Sequence, residues 1–365
     1  MFLFKGKEFV KIEPDKFIED MNLTCDIYYR YKDELFLVIN RPIITVETIN
    51  KIKKLDATYD GIYIESKYLN HVLKEFYQRK TDENYAILDS YYENISLKSQ
   101  EIMESVEYTS TIPMKITEEL SEEICEMVIN ISAASIIQLI NNVRKADEYL
   151  FMHGTNVGII NGLIGKWINL DKEDIARLVK LGLLHDVGKF KVPPQILYKP
   201  AKLTEQEFEV IKLHPVFSYE IAKRSNEKDT DVLNGIRSHH EKINGTGYPD
   251  RLKNDEIPLF GRITTISDIY DAMISKRVYK DAHSPFEVLD EFSQGRFSNL
   301  DLNIVNVFLD NMPIELIGKP VLLSDGSIGK ILYINSANFM YPIVETNGEI
   351  VLTNEKLKCV AMYNV

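Results

Sequence analysis

Cysteine, positive charge and long apolar runs are what this 365-residue chain has little of. Its three cysteines, Cys25, Cys125 and Cys359, are odd in number, far apart and form no C-x-x-C pair. No disulfide framework is therefore written here, and the three read as buried or free thiols of a reducing cytosol. The opening MFLFKGKEFVKIEPD has too short an apolar run for a signal peptide, and no stretch approaches the roughly 20 apolar residues of a spanning helix. A soluble, cytoplasmic protein is expected. Lys and Arg number 43 against 55 Asp and Glu, a net charge of −12, so no broad basic field exists for nucleic acid or an anionic membrane surface. An anionic ligand must find a local positive site, such as metal ions with a few Lys and Arg. An apolar fraction of 45% is ample for real cores, and the length suits two or three domains.

Of the seven histidines, five fall in short polar motifs of one stretch: His153, His185, His214 and the adjacent His239 and His240. The second stands in LLHDVGKF (183–190), the pair in HHEKINGTGYP (239–249), and Asp268 follows in ITTISDIYDAM. Neutral imidazoles and carboxylates are the ligands of hard-to-borderline divalent metals. Five of the first and at least two of the second suffice for two ions. Each fragment alone has a blander reading, since lone HD pairs are common and a His pair at a helix end is more often a polar cap. In this order, each beside Gly or Pro turn chemistry, they favour the metal.

Three segments are expected along the chain. Residues 1–80 read as an α/β module: β-rich runs at 24–31 and 34–39 flank a Lys32–Asp33 turn, a capped helix spans Thr45–Leu55, and a strand covers 61–65. No chemistry is visible there, so the module is expected to be regulatory or interaction-forming. Residues 81–312 read as helices: one long helix over 121–143, then 149–167, 172–184 and 231–239. Thr204 and Glu207 form a capping box opening a helix expected to deliver His214, and Asn244–Pro249 must be a loop at the site's rim. Residues 313–365 turn to β character, with a strong hairpin signal at Thr346–Glu349.

Taken in order, His153-Gly-Thr-Asn-Val157, HDVGK (185–189), His214-Pro215, HHE (239–241), GYP (247–249), SDIYDAM (267–273) and KRVYK (276–280) resemble an HD-GYP domain over roughly Glu148 to Phe308. Members of that family are metal-dependent phosphodiesterases of cyclic di-GMP. The resemblance implies a multidomain protein: a predominantly all-α, HD-type catalytic domain, a small α/β N-terminal module and a small all-β, barrel-like tail. It implies one ion on His153, His185, Asp186 and Asp268, and a second on Asp186, His214, His239 and His240. Adjacent residues of a helix point about 100° apart, so His185 and Asp186 cannot both face one ion squarely but can face two neighbouring ions, with Asp186, as the resemblance implies, bridging them. Two ions roughly 3.5–4 Å apart can share a hydroxide for in-line attack at phosphorus, giving linear pGpG and, by a second cleavage, GMP.

Further roles follow from the same resemblance. Lys189 is expected at the phosphate as a transition-state partner, Arg277 and Lys280 at the second phosphate, Tyr248 at a guanine, and Asp271 behind a ligand histidine. One departure stands out: three-metal members carry Glu four residues before the first ligand histidine, where this chain has Tyr149, Glu148 being one residue too early. Two ions are therefore expected, with iron or manganese favoured and other transition metals open. A low-turnover sensor of cyclic dinucleotides and a phosphodiesterase of cyclic GMP-AMP are the alternatives; the intact ligand set favours the enzyme. The GYP loop suits docking to GGDEF-type cyclase domains, and a homodimer is left open.

Overall fold

The computed structural model describes residues 94–142, 149–275 and 283–363, Val72, and within 2–68 all but 5, 6, 13, 15, 16, 18–20, 22, 24, 33 and 41. It divides into two compact units, Met1–Asp89 and Ser90–Val365.

In the first unit, β1 (Phe2–Phe4), β2 (Lys7–Ile12), β3 (Ile27–Tyr31), β4 (Glu34–Ile39) and β5 (Ile62–Glu65) form one antiparallel sheet in the order β1-β2-β5-β3-β4. Helix α1 (Val46–Thr58) starts at Thr45, whose hydroxyl accepts the Thr48 N–H. It runs one turn past the expected Leu55. Ile12, Met21, Leu23, Ile27, Ile44, Ile52, Ile62 and Ile64 build the core. Branched residues on alternate strand positions are what this two-layer packing requires.

The second unit opens with α2 (94–109), α3 (Met114–Asn130) and α4 (Ala133–Asn142). The single helix expected over 121–143 is thus broken. Ile131 leaves the helix in extended backbone, and Ser132 restarts it, its Oγ accepting the Ser135 N–H. A serine cap competes well with continuation of a helix, which periodicity does not reveal. Helix α5 (Tyr149–Trp167) is apolar on every side and buried from 152 to 165, as befits the central helix of a bundle. Helix α6 (Lys172–Leu184), capped by Asp171, lies against it.

A 3₁₀ turn (Val187–Lys191) then leads to α7 (Pro194–Leu197), α8 (Glu205–Ile211), α9 (His214–Arg224), α10 (Thr230–Ser238), α11 (Leu259–Ile274), α12 (Pro285–Ser293) and α13 (Leu302–Leu316). The Thr204–Glu207 capping box is present, but the helix it opens stops at Ile211, three residues short of His214. Pro215 is the physical reason. It has no N–H to give the Ile211 carbonyl, so α9 begins afresh at His214.

The chain ends in a second antiparallel sheet of β6 (Pro320–Leu323), β7 (Ile328–Asn335), β8 (Asn338–Thr346), β9 (Glu349–Leu352) and β10 (Cys359–Met362), in the order β10-β6-β7-β8-β9. The β8–β9 turn has Asn347 and Gly348 at positive φ, the two-residue hairpin the sequence predicts. Among the described strands, β9 and β10 form opposite ends of the sheet and are not paired with each other. Strand β8 packs on α12, joining the tail to the helical unit. Among the described residues, no helix is long and apolar enough to cross a membrane.

Candidate metal centre

The ends of helices position the histidines. His185 is the residue on which α6 closes, and its Nδ1–H donates to the Gly182 carbonyl at 2.7 Å. His239 closes α10 in the same way, donating to the Ile236 carbonyl at 2.6 Å. His214 donates to the Ile211 carbonyl at 2.7 Å, the acceptor that Pro215 cannot satisfy. All three carbonyls lie in the last turn of a helix, where backbone donors run out. A carbonyl only accepts, so the proton of each neutral ring sits on Nδ1 and the lone pair on Nε2. His153, inside α5, is held differently. Its Nδ1 is 2.8 Å from Oδ2 of the fully buried Asp271.

The HD pair does not lie within a helix as the 100° argument assumed. His185 still has helical backbone, but Asp186 has left it, at φ −107° and ψ 0°. That turn sends the Asp186 carboxylate across the cluster. Its Oδ2 lies 3.3 Å from His153 Nε2 and 3.4 Å from His185 Nε2, and its Oδ1 lies 3.1 Å from His214 Nε2. Asp268, from α11, reaches His153 Nε2 at 3.2 Å and His240 Nδ1 at 3.7 Å. Two groups result, Asp186 with His214, His239 and His240, and His153 with His185 and Asp268. All seven expected metal ligands are therefore in one place.

The donor set suits cations. With Nδ1 of His214 and of His239 each turned to a backbone carbonyl, their Nε2 atoms stand 3.2 Å apart, and as neutral rings they present lone pairs to each other. Two lone pairs at that separation repel unless a positive ion lies against both. His185 Nε2 is likewise buried, with no hydrogen-bond partner among the described residues. Burial, then the neighbouring imidazoles, holds His239 well below the ordinary histidine range. Burial pushes His240 down to about 3. Burial opposes ionisation of Asp186 and Asp268, but Lys189 and the imidazoles outweigh it at the first, and His153 and its neighbours at the second, so both are held well below the usual carboxylate range. Neutral imidazoles beside ionised carboxylates are the protonation states that metal binding requires.

Two close approaches shape the surroundings. A Cβ on Gly188 would lie 2.2 Å from the His214 carbonyl oxygen and 2.4 Å from Ser218 N, so only glycine lets the 3₁₀ turn press on α9 and bring Asp186 to His214. A Cβ on Gly247 would lie 2.4 Å from Glu241 Cα, which is why the GYP loop can fold back on the His pair. Glu241 was not singled out from sequence. Its buried carboxylate accepts the N–H groups of Asp250, Arg251 and Leu252 at 2.7, 2.9 and 3.1 Å, tying that loop down. Its place beside the His pair was the available signal.

At the mouth, Tyr248 lies over His240, ring centroids 4.8 Å apart, and Lys212 lies 5.9 Å from the Tyr248 ring. His240, at 21% exposure, is the most open of the five imidazoles, so access is from this side. Lys189 ion-pairs with Asp186. Arg277, Lys280 and Glu148 lie outside the described residues.

A helical bundle presenting two His/carboxylate groups joined by one aspartate defines a class of metal-binding helical domain. Residues 126–304 match the family model described as HD domain. The chain is 30% identical over 203 residues to cyclic di-GMP phosphodiesterase PA4108 of Pseudomonas aeruginosa, covering 56% of this chain and 49% of that one. It is 40% identical over 125 residues to the cyclic di-GMP phosphodiesterase response regulator RpfG of Xanthomonas campestris, 34% of this chain and 33% of that one. It is also 32% identical over 177 residues to 3′3′-cGAMP-specific phosphodiesterase 2 of Vibrio cholerae, 48% and 34% of the two chains. The chain thus spans half or less of the length of these curated relatives. In fold it resembles Bd1817, an HDG"Y"P protein from Bdellovibrio bacteriovorus, with a TM-score of 0.51 and 17% identity over 84% of this chain and 99% of that one. Residues 126–304 are thus similar to HD domains, and the curated relatives they match are cyclic dinucleotide phosphodiesterases.

Proposed function

We propose that this protein is a metal-dependent phosphodiesterase that hydrolyses cyclic di-GMP to linear pGpG. The observation that carries the proposal is Asp186, whose two oxygens face the two ligand groups while deprotonated Nε2 atoms crowd 3.2 Å apart beside it. In this reading His153, His185, Asp186 and Asp268 hold one ion, and Asp186, His214, His239 and His240 the other. Iron or manganese suits this mixed nitrogen and oxygen set. When bound, the ions supply Lewis acidity toward the phosphoryl oxygens and lower the pKa of the attacking water.

The chain's own residues do the rest. Lys189, poised on Asp186, meets the negative charge that grows on the phosphoryl oxygens. Tyr248 offers a ring face to a guanine beside His240, and Arg277 and Lys280 are assigned to the second phosphate. Glu241 keeps the loop bearing Tyr248 in register with the His pair. The first unit is assigned a regulatory or interaction role, and the GYP loop the docking of a GGDEF-type cyclase domain. Relatives named for either substrate make cyclic GMP-AMP the second substrate to test.

The experiment is anaerobic turnover with Fe(II) or Mn(II), on cyclic di-GMP and cyclic GMP-AMP separately. Linear pGpG from the wild type, and a loss on the order of 10³-fold in Asp186→Ala, is expected. Tight binding of the dinucleotide without product, at full metal loading, would move the protein to the sensor class.

A further inference from the structure

Asp271 is a fully buried carboxylate with three neutral or ring partners. Its Oδ2 faces His153 Nδ1 at 2.8 Å and the Ser275 hydroxyl at 3.4 Å, and its Oδ1 accepts the side-chain amide of Asn156 at 3.0 Å. Among the described residues no lysine or arginine is paired with it. Asn156 sits three residues after His153 on α5, on the same helix face, and is itself only 5% exposed. Side chains from one helix therefore grip opposite oxygens of one carboxylate from α11, and the Asp271 plane cannot rotate without breaking one of the two bonds.

We infer that Asn156 is a positioning residue for the metal centre, acting through Asp271 on His153. The inference rests on the metal reading proposed above. The amide donor fixes Asp271, and Asp271 in turn fixes the His153 ring so that Nε2 points at Asp186 and Asp268, 3.3 and 3.2 Å away. The donor's neutrality is part of the device. An amide satisfies one oxygen without cancelling the carboxylate charge, so the charge acts on the His153 ring and strengthens Nε2 as a ligand. The other three ring-fixing acceptors are backbone carbonyls, which carry no net charge. The group containing His153 is thus the one whose affinity a distant side chain sets.

The test is calorimetric titration of the full-length apoprotein with Mn(II) for the wild type, Asn156→Leu and Asp271→Asn, with turnover measured in parallel. Leucine removes the donor at similar size, and the Asp271 variant keeps shape while removing charge. Two binding steps are expected in the wild type. Each variant should weaken one step by on the order of 10-fold and leave the other in place. Turnover lost at limiting Mn(II) should return at excess, with KM for the dinucleotide unchanged. Unchanged steps in a folded Asn156→Leu protein would overturn the inference, as would equal weakening of both steps, the mark of a structural role. Should Asn156→Leu fail to fold, an unchanged isotherm in Asp271→Asn overturns it alone. If one step weakens while the wild type hydrolyses no dinucleotide, the positioning role stands and the phosphodiesterase reading falls.

Discussion

At the scale of single residues, the centre depends on carbonyls that helices leave over. His185, His214 and His239 each bond the carbonyl three residues back, so each ring's orientation is set by where a helix stops. Pro215 makes the sharpest case. In Pro215→Ala the new N–H competes with His214 for the Ile211 carbonyl. Stability should hold or rise slightly, because alanine suits a helix, while affinity for the ion on His214 falls about 10-fold. Metal titration beside a thermal melt separates the two effects. The clustered candidate ligands were legible in sequence because histidines in polar motifs are chemically conspicuous. Asn156 and Glu241 were not, since an amide and a carboxylate declare nothing until their partners, 115 and about 10 residues away, are known.

At the scale of elements, two junctions carry the geometry. Gly188→Ala would push the 3₁₀ turn off α9, separating Asp186 from His214. It is expected to cost roughly 1–3 kcal/mol and most of the metal affinity, read by denaturant unfolding and metal content. The second junction joins α6 to α10. Both Arg177 and the α10 backbone bond Asp229: Nε and Nη2 at 2.6 and 2.8 Å, and the N–H groups of Asp231 and Val232 at 2.9 and 3.1 Å. Arg177 chiefly pulls this carboxyl from the ordinary 3.8 to about 2 in the folded state.

A depressed carboxyl stabilises the fold above its unfolded value and loses that contribution as pH falls. The Asp229 contribution is therefore complete above about pH 4 and fades between about 4 and 2. In Asp229→Asn, unfolding should lose part of its pH dependence across that window, which acid titration followed by circular dichroism would register. Equal slopes in the two proteins would refute the coupling. Most helices were legible from apolar periodicity, and the Thr204 cap from its own spacing. The break at Ile131–Ser132 and the stop at Ile211 were not, because a cap and a proline override a continuous apolar pattern only locally.

At the scale of the whole molecule, every candidate ligand among the described residues comes from the second of two compact units. Metal should therefore stabilise that unit alone. A calorimetric scan is expected to show two transitions, with Mn(II) at 100-fold above its Kd adding about 2.7 kcal/mol per bound ion to one of them. A chelator should return that transition to its metal-free position without moving the other. Movement of both would refute the confinement of the metal's effect to the second unit.

The sequence by itself determined which residues can bind a metal, that the region bearing them is helical, and that β-rich segments lie at either end. These follow from side-chain chemistry and from patterning over a few residues, both local properties. Only the tertiary structure decided that Asp186 turns out of the helix toward both ligand groups, that the histidine backed by Asp271 is His153, with Asn156 on the far oxygen, and that Glu241 fastens the loop over the site. Each of these depends on contacts between residues far apart in the chain, and on the turn of one residue out of a helix. Neither is encoded in any short stretch of sequence.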